Sequence, residues 1–226
     1  MTDISPQEYL FWKTISPTMR QVMATFGRTE IGTHFYLAGG TALALQLNHR
    51  RSFDLDFFSP TENIPSIRKI LNNALKSFNP ILSDTSWGNL VFLADGVQVG
   101  FYGYGYSMVK PFVIADGVRL ASISDIGLMK LDALLARASR KDFHDLYAIC
   151  QQMSLRELLD LASQKYTSIR DFEAQVVKRL TFFERAEQEV PPILLKEVSW
   201  KTVKTFFRQQ AIEIGKGWLT TRRLGS

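Results

Sequence analysis

Polar and apolar positions follow two different rhythms along this chain, and the change between them divides it. From Gln7 to about Leu120, helical patterns are interleaved with short apolar runs. Gln7 to Phe26 reads as a helix, THFYLAGG as a buried strand entering a turn, and TALALQLN as a helix with Leu43 and Leu47 at i and i+4. SFDLDFFS is the next strand, and its period of two puts Asp54 and Asp56 on one face and Phe53, Leu55 and Phe57 on the other. Ile64 to Phe78 reads as a helix. LVFLADGVQVGFYGYGY reads as a hairpin turned at Ala94, Asp95 and Gly96, because Asp-Gly accepts the positive φ of tight turns. Beyond Leu120 only helical patterns remain, with breaks at Ser154, Ser168 and Pro191-Pro192. The predicted fold class is α+β, with one mixed domain over residues 1–120 and an all-helical domain over 121–226.

Composition narrows the setting. With 226 residues, 46% hydrophobic and 22% charged, the chain can bury a real core and has neither a disordered nor a fibrous composition. One cysteine excludes an internal disulfide, and MTDISPQEYL lacks the basic start and apolar run of a secretory signal, so a cytoplasmic location is expected. Charged residues interrupt every long apolar stretch, which predicts no membrane span. The net charge of +5 is compatible with a polyanionic partner. Lys201, Lys204, Arg208, Lys216, Arg222 and Arg223 concentrate that charge near the C-terminal end.

The candidate chemistry lies in LAGGTALALQLNHRRSFDLDFF, Leu37 to Phe58. A Gly-Gly pair between a strand and a helix lets backbone N–H groups approach an anion, and Thr41 adds a hydroxyl at the helix start. Gly39, Gly40 and Thr41 are therefore candidates to cradle phosphate. Asp54 and Asp56 repel each other on one strand face and call for a cation. That cation is either a divalent metal bridging a nucleotide's phosphates or the side chains of Arg50 and Arg51. Farther on, Lys130 and Arg137 fall on one side of a helix opposite Leu128, Leu131 and Leu135. In the next helix Phe143, Leu146, Tyr147 and Cys150 form the apolar stripe, so Lys141, Asp142, His144 and Asp145 are predicted to point outward, with Lys141 and Asp145 spaced as an i,i+4 pair.

GGTALALQLNHRRSFDLDFF resembles the glycine turn and Asp-x-Asp strand of DNA-polymerase-β-like nucleotidyltransferases. Its His-Arg-x-Ser segment before Asp-Leu-Asp-Phe-Phe is similar to the AbiEii/AbiGii toxin family of type IV toxin–antitoxin (abortive infection) systems. A second block, SDIGLMKLDALLARASRKDFHDLYAI, resembles that family's Lys-x6-Arg-x3-Lys-Asp-x2-Asp-Leu segment. Both blocks occur in the family's order.

The resemblance implies a polymerase-β-like mixed sheet flanked by helices, followed by the helical domain closing a nucleotide cleft. It implies transfer of NMP from an NTP, with Mg²⁺ or Mn²⁺ held by Asp54 and Asp56, to a macromolecule such as tRNA, and a cognate antitoxin as partner. Arg51 and Ser52 join Gly39, Gly40, Thr41, Lys130, Arg137 and Lys141 as the implied phosphate-binding set. Lys130, Asp142 and Asp145 join the two strand aspartates as implied catalytic residues. An antibiotic-type transferase acting on a small molecule, and a degenerate nucleotide- or RNA-binding homologue, are the rival readings. The chain departs from the superfamily at one place: a later strand there carries a third carboxylate, and the aligned position here is Gly100. Either a carboxylate from elsewhere, such as Asp142 or Asp145, serves instead, or one metal suffices, or this copy has weakened activity.

Overall fold

The computed structural model of the protein describes residues 10–224, with side chains through Trp218. The chain forms two compact units, Met1–Ile126 and Gly127–Ser226.

The first unit is built on a seven-stranded mixed sheet. Its strands are β1 (Tyr36–Leu37), β2 (Asp54–Ser59), β3 (Ile81–Asp84), β4 (Leu90–Ala94), β5 (Val97–Gly103), β6 (Val113–Ala115) and β7 (Val118–Leu120), in the order β3-β4-β5-β2-β1-β7-β6. The β4–β5 hairpin turns at Asp95 and Gly96, both at positive φ. A second Asp-Gly turn, Asp116-Gly117, joins the β6–β7 hairpin, which the apolar pattern did not predict because its strands are only three residues each. β2 runs antiparallel to β1 and parallel to β5.

Side chains alternate cleanly across this sheet. Leu55, Phe57, Val99 and Phe101 are buried on one face, while Asp54, Asp56, Phe58 and Tyr102 are half-buried on the other. The closed face packs on α1 (Pro17–Gly27), whose Phe26 ring lies 4.6 Å from Phe57 and 5.1 Å from Phe101. Aromatic pairs of this kind add to the transfer free energy of their buried area.

Helix α1 starts later than the apolar pattern predicts. Pro17 occupies the first turn and the Ser16 hydroxyl accepts from the Met19 N–H at 3.1 Å, so this cap outweighs the earlier apolar residues. Trp12–Thr14 form a short 3-10 turn, and Gln7 to Tyr9 lie outside the described residues. Helix α2 covers Gly39–Leu47. The helix predicted over Ile64 to Phe78 is three pieces, a 3-10 turn, α3 (Arg68–Ala74) and a second 3-10 turn.

Six helices follow: α4 (Ile123–Ala136), which begins in the first unit and continues into the second, α5 (Arg140–Ile149), α6 (Leu155–Lys165), α7 (Phe172–Arg179), α8 (Glu184–Gln188) and α9 (Trp200–Leu224). The second unit gathers around Phe143, whose ring meets Phe183 at 5.0 Å, Phe207 at 5.6 Å and Trp200 at 5.8 Å. No helix among the described residues is long and apolar enough to cross a membrane.

Candidate active site

The glycine turn and the Asp-x-Asp strand are locked together by the backbone. The Ala38 N–H donates to the Asp56 carbonyl at 3.0 Å, so α2 begins directly beside β2. Gly39 sits at φ +64°, a conformation that L side chains resist, and a Cβ there would stand 2.8 Å from Asp56 Oδ2. Glycine is therefore favoured by the backbone, and a Cβ would displace the Asp56 carboxylate. No side chain caps α2, so its first N–H groups remain available in an electropositive position next to the aspartates.

The predicted roles divide at this point. Gly39 and Gly40 form the turn, but Thr41 and Ser52 do not face outward to phosphate. Thr41 is 1% exposed, and its hydroxyl donates to the Asp54 carbonyl and lies 2.8 Å from Ser52 Oγ. Ser52, 2% exposed, donates to Asp54 Oδ1 at 3.3 Å. Both hydroxyls brace Asp54, Thr41 at its carbonyl and Ser52 at its carboxylate. Arg51 is exposed. Arg50, read from sequence as a partner of the aspartates or a phosphate contact, is buried with its guanidinium against Gly40, where a Cβ would collide with it. It donates to the Arg51 carbonyl at 3.0 Å. Nothing in the local pattern distinguishes buried Arg50 from exposed Arg51; only the fold does.

Asp54 and Asp56 share the open face of β2. Parallel register places Gln98 beside Asp54 and Gly100 beside Asp56. Among the described residues no three His, Cys, Asp or Glu side chains gather into a metal-binding group. Two carboxylates beside an uncapped helix start nevertheless fit a magnesium–nucleotide complex. Mg²⁺ keeps several waters and is bound by one or two carboxylates plus substrate phosphates, not by an all-protein cage.

Lys130, Arg137, Asp142 and Asp145 form a second cluster, within the second unit, and here the outward placement is corrected. Asp142 and Asp145 are fully buried, His144 is 3% exposed and Lys130 is 5% exposed. Lys130 Nζ bridges Asp142 Oδ1 and Asp145 Oδ2, each at 2.8 Å. Arg137 donates to Asp142 from Nε at 2.9 Å and Nη2 at 3.0 Å, and the Ser139 hydroxyl donates to it at 2.7 Å. Asp142 is also the N3 residue of a capping box with Ser139 at the start of α5. Burial acts to raise the Asp142 pKa, but the Lys130 and Arg137 charges outweigh it and hold the carboxyl well below the usual range. The buried carboxylates require cations, so Lys130 turns inward to Asp145, while Lys141 is exposed.

A third buried carboxylate, Asp125, went unread in the sequence, although Ser122-x-x-Asp125 has the spacing of a helix cap. It accepts from the Val109 and Lys110 N–H groups at 2.9 and 3.0 Å and from the Ser122 hydroxyl at 2.8 Å, tying a loop to the start of α4. Burial pushes the Cys150 thiol up to about 12, which removes it as a nucleophile.

Comparison with known proteins bears on this geometry. A family model described as nucleotidyl transferase AbiEii toxin, type IV TA system, matches residues 21–85, which contain the glycine turn and the Asp-x-Asp strand. An uncharacterised protein from Aquifex aeolicus (strain VF5) is 36% identical over 209 residues, spanning 89% of this chain and 98% of that protein. Two solved structures share the fold. MenT4, a nucleotidyltransferase toxin from Mycobacterium tuberculosis H37Rv, is similar at a TM-score of 0.58 and 14% identity, over 86% of this chain and 82% of its own. A candidate nucleotidyltransferase from H. pylori is similar at 0.52 and 19%, over 90% and 94%.

Proposed function

Because this chain belongs to the AbiEii nucleotidyltransferase toxin family, we propose that it transfers NMP from a nucleoside triphosphate to an acceptor on RNA, under restraint by a cognate antitoxin. The observation that carries this reading is the pairing of Asp54 and Asp56, on one half-exposed strand face, with the left-handed Gly39 turn at an uncapped helix start. One element offers carboxylates for a divalent cation and the other offers N–H donors for phosphate oxygens.

Asp54 and Asp56 would hold Mg²⁺, which when bound neutralises phosphate charge and orients the triphosphate. Ser52 fixes the Asp54 carboxylate, Thr41 fixes the Asp54 carbonyl, and Gly39 leaves the Asp56 carboxylate room beside the helix start. The N–H groups opening α2 bind triphosphate oxygens and stabilise charge that grows during transfer. An acceptor hydroxyl attacks the α-phosphorus, the new O–P bond forms as the bond to pyrophosphate breaks, and the hydroxyl proton leaves to water. Lys130, Asp142 and Asp145 serve by fixing the start of α5, and Arg137 and Lys141 present charge near that corner to polyanionic substrate.

The acceptor assignment draws on the basic C-terminal helix. Lys201, Arg208 and Lys216 are exposed on α9, whereas Lys204 is paired with Glu187 at 2.5 Å. The side chains of Arg222 and Arg223 lie outside the described residues. Exposed cations along one helix suit a phosphate backbone and predict salt-sensitive binding. The test incubates the protein with each α-labelled NTP, Mg²⁺ and total RNA. Label should enter RNA with one preferred nucleotide and vanish in Asp56→Ala; Asp56-independent labelling, or none with any NTP, would refute the assignment.

A further inference from the structure

Gly100 leaves a gap in the polar row beside Asp56, and the structure fills it with a different group. Gly100 pairs with Asp56 in parallel register, so any side chain there would face the same open surface as the two carboxylates. The Tyr102 ring folds back along β5 into that position. A Cβ built on Gly100 would stand 2.6 Å from Tyr102 Cζ and 2.5 Å from Cε2, with the hydroxyl oxygen nearer still. Phe58, on the same face of β2 as Asp56, stacks on the Tyr102 ring at 5.1 Å and 26°. The ring is thus held by its neighbour, and its oxygen end lies at the carboxylate row.

We propose that the Tyr102 hydroxyl is the third polar group of the Asp54–Asp56 site, a neutral donor to the phosphate oxygens of bound nucleotide. In consequence the site takes one divalent cation with its nucleotide, not two. A phenol keeps its proton at neutral pH and so offers an O–H without charge. Two carboxylates balance one divalent cation. A second cation, roughly 3.5–4 Å away in two-metal sites, needs further anionic ligands. Gly100 supplies none, and no three-member group of potential ligands exists among the described residues. The donor acts where charge develops, so its loss should appear in turnover more than in ground-state binding.

This inference rests on the nucleotidyltransferase reading, and the experiment separates the two. An aromatic ring over a glycine also stabilises a strand without any chemistry. Tyr102→Phe retains that cover and the Phe58 stack while removing only the hydroxyl. Electron paramagnetic resonance of Mn²⁺, titrated into the full chain with a non-hydrolysable NTP analogue, counts bound ions. The expected count is one per chain in both wild type and Tyr102→Phe. In the RNA-labelling assay Tyr102→Phe should lower kcat about ten- to a hundredfold, equivalent to one or two steps of 1.36 kcal/mol, with the NTP KM changed less than about threefold. Two bound Mn²⁺ per wild-type chain, or wild-type kcat in Tyr102→Phe, overturns the proposal and leaves the transferase reading standing. Wild-type protein that binds no Mn²⁺–nucleotide at all overturns both.

Discussion

Replacing Lys130 with methionine tests whether the buried ion cluster holds the start of α5. Lys130 is 5% exposed and its ammonium touches two fully buried carboxylates at 2.8 Å, whereas methionine fills similar volume without charge. Breaking a buried pair by removing one partner destabilises by about 3–5 kcal/mol, because the remaining charge stays desolvated. Asp142 retains two guanidinium bonds from Arg137 and its Ser139 cap, which limits the deficit. The lower end of that range, about 3 kcal/mol, is therefore expected. At roughly 2–4 °C per kcal/mol for a chain of this size, Tm should drop by about 6–12 °C in calorimetry at pH 7. Lys130→Met combined with Asp145→Leu removes one of the two buried carboxylates along with the lysine and should recover at least about 1 kcal/mol. A single variant within about 1 kcal/mol of wild type, the scale of a surface pair, would refute the account of the cluster.

The remaining predictions concern the same two sites. Gly39→Ala forces a side chain into a left-handed backbone, at about 1–2 kcal/mol, and crowds Asp56 Oδ2. Tm should fall only a few degrees while Mn²⁺–nucleotide binding, measured by calorimetry, is lost; intact binding would show that this contact is dispensable. Asp142 has a folded pKa held below its unfolded value, so its contribution is complete above about pH 3.9 and is lost as pH falls further. Urea midpoints should therefore be insensitive to this group from pH 7 to 5 and fall toward pH 3, with a smaller fall in Asp142→Asn.

Much of the first site was legible because a strand writes its faces into the sequence with a period of two. Asp54 and Asp56 flank Leu55 and precede Phe57, and the fold buries those two apolar residues and leaves the aspartates at the surface. The Asp95-Gly96 turn was equally legible. Asp116-Gly117 carried the same signal, but three-residue strands are too short to show alternation. Burial of polar side chains was not legible. A lysine on a helix is assigned to water by type alone, and the carboxylates that draw Lys130 inward sit on another helix. The same holds for Thr41, whose hydroxyl suits phosphate in sequence but is claimed by Asp54 in the fold. Tyr102 lay inside the predicted hairpin with nothing to single it out, since the seat it occupies exists only because Gly100 lies two residues earlier on the same face.

Asp142 is at once the cap that starts α5 and the anion shared by Lys130 and Arg137 of the preceding segment. One carboxylate consequently serves both the boundary of the helix and the neutralisation of the lysine. Until α4 and α5 meet, the carboxylate can cap its own helix in water but cannot shed its solvent, and the lysine cannot enter the interior alone. Assembly order is thereby constrained: the cap can come first, and the opposite charges leave water only together.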